Sequence, residues 1–100
     1  MSEPYQALNV PPAANEHGGV ELLRCAVIGG NLHLTLRPVF NDPRDWGHTF
    51  AAVAQQVAAV YAHQGRFEAS DTLSRIGEAF EASMKSPPTD IAGAISPLGN

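Results

Sequence analysis

One short stretch of the chain holds the residues that are most able to do chemistry. Residues 20–36, VELLRCAVIGGNLHLTL, contain the only cysteine, Cys25, and one of the four histidines, His33. A cysteine thiolate beside an imidazole is a common nucleophile and base pair in covalent catalysis. Whether these two side chains can meet depends on how the stretch folds.

The pattern of this stretch predicts a β-hairpin. Gly29-Gly30 suits a two-residue turn, because tight hairpin turns need positive φ angles. Side chains alternate between the two faces of a strand, so the position of the turn decides which residues share a face. One face then consists of three apolar pairs: Leu23 with Leu36, Cys25 with Leu34, and Val27 with Leu32.

This register separates Cys25 from His33, which projects from the opposite face of the hairpin. A thiol and an imidazole on opposite faces of a sheet cannot form a reactive pair. We therefore predict that Cys25 is a small hydrophobic residue of the core, covered by the first helix, and not a nucleophile.

The other residues of catalytic type form no recognisable site. The four histidines are 15 or 16 positions apart, and none belongs to a metal-binding motif. The carboxylates of the second predicted helix lie on its polar face, whereas paired catalytic acids need a desolvated cleft. No glycine-rich loop leads into a helix that could hold phosphate. The sequence thus predicts no catalytic residue, no metal and no cofactor.

One group of candidate ligand-binding residues remains, on the second face of the hairpin. Arg24, His33, Thr35 and Arg37 project together from this face. Because a guanidinium group offers a rigid fork of donors, such a set could bind a carboxylate or a phosphate. The alternatives are a solvated sheet face and a contact within a dimer.

Two helices are predicted after the hairpin. Asp42 is a natural N-cap, Pro43 suits the first helical position, and Gly65 ends the first helix. The second helix covers approximately residues 68–85. The first helix would be roughly 33 Å long, close to the roughly 30 Å of nine-residue strands. We therefore expect it to lie along the apolar face of the hairpin.

Together these elements predict an α+β fold, in which an antiparallel β-hairpin is followed by two α-helices packed on one of its faces (ββαα). Residues 1–18 contain three prolines and are predicted to be an extended lead-in, in which Ala7–Val10 could add an edge strand. Residues 19–85 form the single domain, and residues 86–100 form a flexible tail. Dimerisation is the other way in which the hairpin could be extended.

Composition narrows the classes of partner. The net charge of −4 argues against nucleic-acid binding, which needs a concentrated basic face. No apolar run approaches the ~20 residues that span a bilayer, and the N-terminus does not resemble a secretory signal. We therefore expect a cytoplasmic protein that binds neither nucleic acid nor membrane.

Charged residues make up 16% of the chain, below the roughly 25% of ordinary soluble domains, and this low fraction favours self-association.

Most of the chain resembles a family of small bacterial proteins known as domain of unknown function 5076. The resemblance rests on a Glu-x-Leu-Arg strand at 21–24, a Leu-His strand at 32–33, and a Trp-Gly pair at 46–47 that opens a long Ala/Val-rich helix. The family has no assigned activity, so the resemblance implies a fold and supplies no catalytic residues.

Two hypotheses for function follow from the sequence. The favoured one is a non-enzymatic interaction module that forms a homodimer, because a core of about 65–70 residues rarely stabilises itself alone and no disulfide is available. The other is a binder of small anions, or a minor enzyme, that uses the Arg24/His33/Arg37 face. The two differ in whether that face is buried by a partner or open as a pocket.

Overall fold

A computed structural model describes residues 4–86 and has the predicted α+β architecture, with an antiparallel hairpin followed by two helices. A short helix, α1, precedes the hairpin. The elements are α1 (Pro12–His17), β1 (Leu23–Ile28), β2 (Asn31–Leu36), α2 (Arg44–His63) and α3 (Ala69–Met84).

The hairpin has the predicted register. Leu23 faces Leu36, Cys25 faces Leu34, and Val27 faces Leu32. Both turn glycines have positive φ angles, 59° at Gly29 and 81° at Gly30, which residues with a Cβ atom rarely adopt. The turn chemistry and the alternating apolar pattern therefore specify the same pairing, and Cys25 and His33 project from opposite faces.

The lead-in differs from the prediction of an extended segment. Pro12–His17 form α1, and residues 7–10 form no strand. Pro12 occupies the start of the helix, where its missing N–H costs nothing, and the residues after it tolerate a helical turn. Gly18 ends the helix at a φ of 69°, and its N–H donates to the carbonyl of Ala14 at 2.9 Å.

Both ends of α2 follow the predicted capping chemistry. The carboxylate of Asp42 accepts a hydrogen bond from the backbone N–H of Arg44 at 3.0 Å. At the other end Gly65 has a φ of 71°, and the next residue, Arg66, donates its N–H to the carbonyl of Tyr61 at 3.0 Å. This bond and the one from Gly65 to Ala62 make a Schellman motif, which satisfies the last carbonyls of the helix.

The two long helices pack against each other. The only buried residues of the described chain are Ala58 of α2, 1% exposed, and Thr72 of α3, 4% exposed. These small side chains allow the two backbones to approach closely. Phe67 lies in the turn between the helices, with its ring 5.9 Å from that of Tyr61.

The prediction that α2 covers the hairpin was wrong for the single chain. No Cα atom of either strand lies within 8 Å of a Cα atom of α2 or α3 in the described part of the chain. The strands are also only six residues long, so the argument from matched lengths does not hold. As a result Cys25 is exposed and not buried, although its register is as predicted. The predicted tail lies outside the described residues, apart from Ser86.

Candidate functional site

The four candidate anion-binding residues lie on one face of the hairpin. Arg24 faces Thr35 directly across the strands, and His33 lies two positions along β2 from Thr35. Arg37 follows β2 and donates its backbone N–H to the carbonyl of Leu22 at 2.8 Å, which continues the ladder by one pair. The side chains therefore share the face that sequence reasoning assigned to them, with His33 half-buried and the other three exposed. Their role in binding a ligand stays a prediction.

Arg24 already has a partner within the chain. Its guanidinium group makes a two-pronged hydrogen bond to the carboxylate of Glu21, with Nη2–Oε2 at 2.8 Å and Nε–Oε1 at 3.3 Å. The Tyr5 side chain and the Glu21 carboxylate together raise the pKa of Arg24 above its usual value. An incoming anion would have to displace Glu21, which weakens Arg24 as an anion ligand.

A depression of about 320 Å³ lies at the open end of the hairpin. Arg24, Thr35 and Arg37 contribute to its lining, whereas His33 does not. Within residues 4–86, Arg37 makes no ion pair, so its guanidinium group is the stronger candidate for holding a carboxylate or phosphate. The depression supplies donors for a small anion but no nucleophile or base paired with one.

A second opening, of about 660 Å³, lies at the start of α2. The charges of Arg44 and Asp42 in its lining satisfy each other, because Arg44 Nη2 lies 2.8 Å from Asp42 Oδ2. The hydrogen bonds from the Arg44 side chain and then from its backbone N–H lower the pKa of Asp42. In the described part of the chain, no three His, Cys, Asp or Glu residues cluster closely enough to hold a metal ion.

The most extensive exposed feature is apolar. On the apolar face of the hairpin, 75% of Val27 and 37% of Leu32 is exposed, and Cys25 is exposed as well, whereas Ile28, 49% exposed, projects from the opposite face. Monomeric proteins rarely leave large contiguous apolar patches in water unless the patches have a partner. Further large side chains are exposed along the long helices: Phe50, Val53 and Val60 of α2, and Leu73, Phe80 and Met84 of α3.

The sequence of most of the chain matches a known protein family. The family described as "Domain of unknown function (DUF5076)" matches residues 7–88. The chain belongs to this family. The match begins before α1 and extends past α3. No functionally curated protein matches the chain.

A solved structure from the photosynthetic bacterium Rhodopseudomonas palustrus CGA009, provisionally assigned as a pyruvate dehydrogenase, is similar to this chain. The two share 29% sequence identity and superpose with a TM-score of 0.71, over 94% of this chain and 97% of that one. The similarity therefore extends over nearly the whole of both chains.

Two features of the site escaped the sequence reasoning. Glu21 precedes β1 by two residues, and the i,i+3 spacing of charges indicates a contact only on a helix, so its pairing with Arg24 carried no signal. The Tyr5 side chain, in the lead-in, raises the pKa of Arg24, and an interaction between such distant residues has no local pattern. None of the described helices is long and apolar enough to cross a membrane.

Proposed function

We propose that this DUF5076 protein is a self-associating interaction module whose working unit is a homodimer. One observation carries the proposal: the hairpin and the helical pair both expose apolar side chains, and neither covers the other. Burial of apolar surface is the main force that drives association, so such a chain is stabilised when a partner covers both surfaces.

The exposed area supports a partner of ordinary size. The chain exposes 8413 Å². Counted as fully exposed, the 17 residues outside the described range account for at most about 2,600 Å². The remaining roughly 5,800 Å² exceeds by about 1,000 Å² the area expected of a compact chain of 83 residues. A standard interface buries about 800 Å² of each partner.

The sheet itself also favours association. In the described residues it has only two strands, and an isolated two-stranded sheet is marginal in water. Each strand has one unpaired edge with free backbone donors and acceptors. Pairing of two hairpins edge to edge about a two-fold axis would give a four-stranded antiparallel sheet and would leave two edges instead of four.

The single cysteine tests this proposal, because Cys25 lies exposed on the apolar face of the hairpin. The experiment measures the rate at which Ellman's reagent modifies Cys25 as the protein concentration is raised. We expect the rate constant at high concentration to fall at least tenfold below that of an open thiol, because association covers the face.

The matched control is the double variant Cys25→Ser, Ser74→Cys, which places the only thiol on an exposed position of α3. Its rate should not change with protein concentration. If native Cys25 reacts as fast as the control at the highest concentration, the apolar face is not covered and the proposal is wrong.

A second candidate function, binding of a small anion, is favoured by the depression that Arg24, Thr35 and Arg37 share. The name given to the R. palustrus protein refers to pyruvate, which is a small carboxylate. Pyruvate and inorganic phosphate can be titrated separately while backbone amide NMR signals of Thr35 and Arg37 are followed. Saturable shifts that Arg37→Gln abolishes would support this candidate, and no shift up to about 10 mM ligand would exclude useful affinity.

A further inference from the structure

We infer that the apolar face of the hairpin is covered by helix α2 of a second copy of the chain, and that the two copies do this reciprocally. The inference rests on the proposed homodimer and adds which surfaces meet. We call the exposed apolar residues of α2 the α2 stripe: Phe50, Val53 and Val60, which are 41%, 51% and 42% exposed.

The link between the hairpin and α2 bears on why the long helices of the same chain lie away from the hairpin. Residues 37–43 contain Pro38 and Pro43, whose rings restrict the backbone φ angle. The ring of Phe40 packs edge-on against Trp46, with ring centroids 5.2 Å apart and an interplanar angle of 82°. Trp46 in turn lies 5.8 Å from Phe50. These contacts hold the link against the start of α2, and we take them to set the direction in which the helix leaves the hairpin.

The composition of α2 indicates that more than one of its sides is covered. Between Asp45 and Arg66 the sequence contains no Asp, Glu, Lys or Arg. A helix with one solvated face normally carries charged or polar residues there, and α2 has only uncharged polar ones such as Gln55, which favours cover on more than one side. Helix α3 covers only the side around Ala58, whereas the α2 stripe on the neighbouring side stays open.

The two open surfaces have similar dimensions. Six-residue strands span about 20 Å, and the α2 stripe from Phe50 to Val60 spans about 15 Å. Each chain carries both surfaces, so one two-fold contact covers four apolar surfaces at once. An unrelated partner would need to match two separate surfaces. A second copy already carries both, so it is the partner that this arrangement favours.

Cross-linking between chains with one thiol each tests which surfaces meet. A tagged Cys25→Ser, Val53→Cys chain is refolded together with the untagged native chain and treated with a short bis-maleimide. We expect a product that joins the tagged to the untagged chain, since Val53 of one copy would face Cys25 of the other. The matched control carries Gln55→Cys in place of Val53→Cys, on the far side of α2, and should give at least tenfold less of this product.

The outcomes separate this inference from the proposed dimer. If light scattering shows a dimer but Val53→Cys cross-links no better than Gln55→Cys, the dimer stands and the hairpin–α2 contact is wrong. If the protein is a monomer, both proposals fail. A cross-link within one chain of a Val53→Cys variant that retains Cys25 would show that α2 covers its own hairpin, and would also overturn the inference.

Discussion

Val27→Asp is expected to convert the protein from a dimer into a monomer. Val27 is 75% exposed in the single chain, so aspartate meets no steric obstacle there. In the proposed dimer the same position is buried among apolar side chains, where an unpaired carboxylate costs several kcal/mol. We expect the dissociation constant to rise by at least about 100-fold, measured by sedimentation at a series of concentrations.

The matched control is Asn31→Asp, which adds the same charge close to the same turn but on the other face of the hairpin. This variant should dissociate much less readily than Val27→Asp. Equal weakening by both substitutions would show that net charge, and not burial of the apolar face, controls association.

Trp46→Ala is expected to lower the free energy of unfolding by about 3 kcal/mol, at the lower end of values for large aromatic residues because Trp46 is half-buried. Its ring packs between Phe40 and Phe50, so its loss would loosen the link that leads into the helix. Urea unfolding at one fixed protein concentration measures the change, since dimer stability depends on concentration.

Trp46→Phe is the appropriate control, because it keeps an aromatic ring next to Phe40. It should cost clearly less than Trp46→Ala. An alanine variant as stable as the native protein would show that the aromatic contacts at the start of α2 contribute little, and would remove the physical basis for the fixed direction of the helix.

The features that could be predicted from the sequence are those that neighbouring residues determine. The hairpin register follows from Gly29-Gly30 and the alternating apolar residues around it. The ends of α2 follow from the carboxylate of Asp42 and the positive φ of Gly65. In each case the hydrogen bonds and torsion angles involve residues a few positions apart. The local sequence pattern is therefore enough to predict the hairpin register and the helix ends.

The features that could not be predicted depend on distant parts of the chain. The separation of α2 from the hairpin depends on how the link between them packs, and the contact of Phe40 with Trp46 in that link is one that an amphipathic pattern does not record. An apolar hairpin face can be covered by a helix of the same chain or by a helix of a partner. The sequence pattern of the hairpin is the same in both cases. For this reason the sequence could identify the two surfaces but could not assign what covers them.

The most direct test of the homodimer is the molar mass in solution, measured by light scattering at micromolar concentration. The chain has a mass of 10.6 kDa. The proposal predicts a mass of about twice that value, because two copies are needed to cover the hairpin and the α2 stripe. A mass near 10.6 kDa at every concentration tested would contradict it.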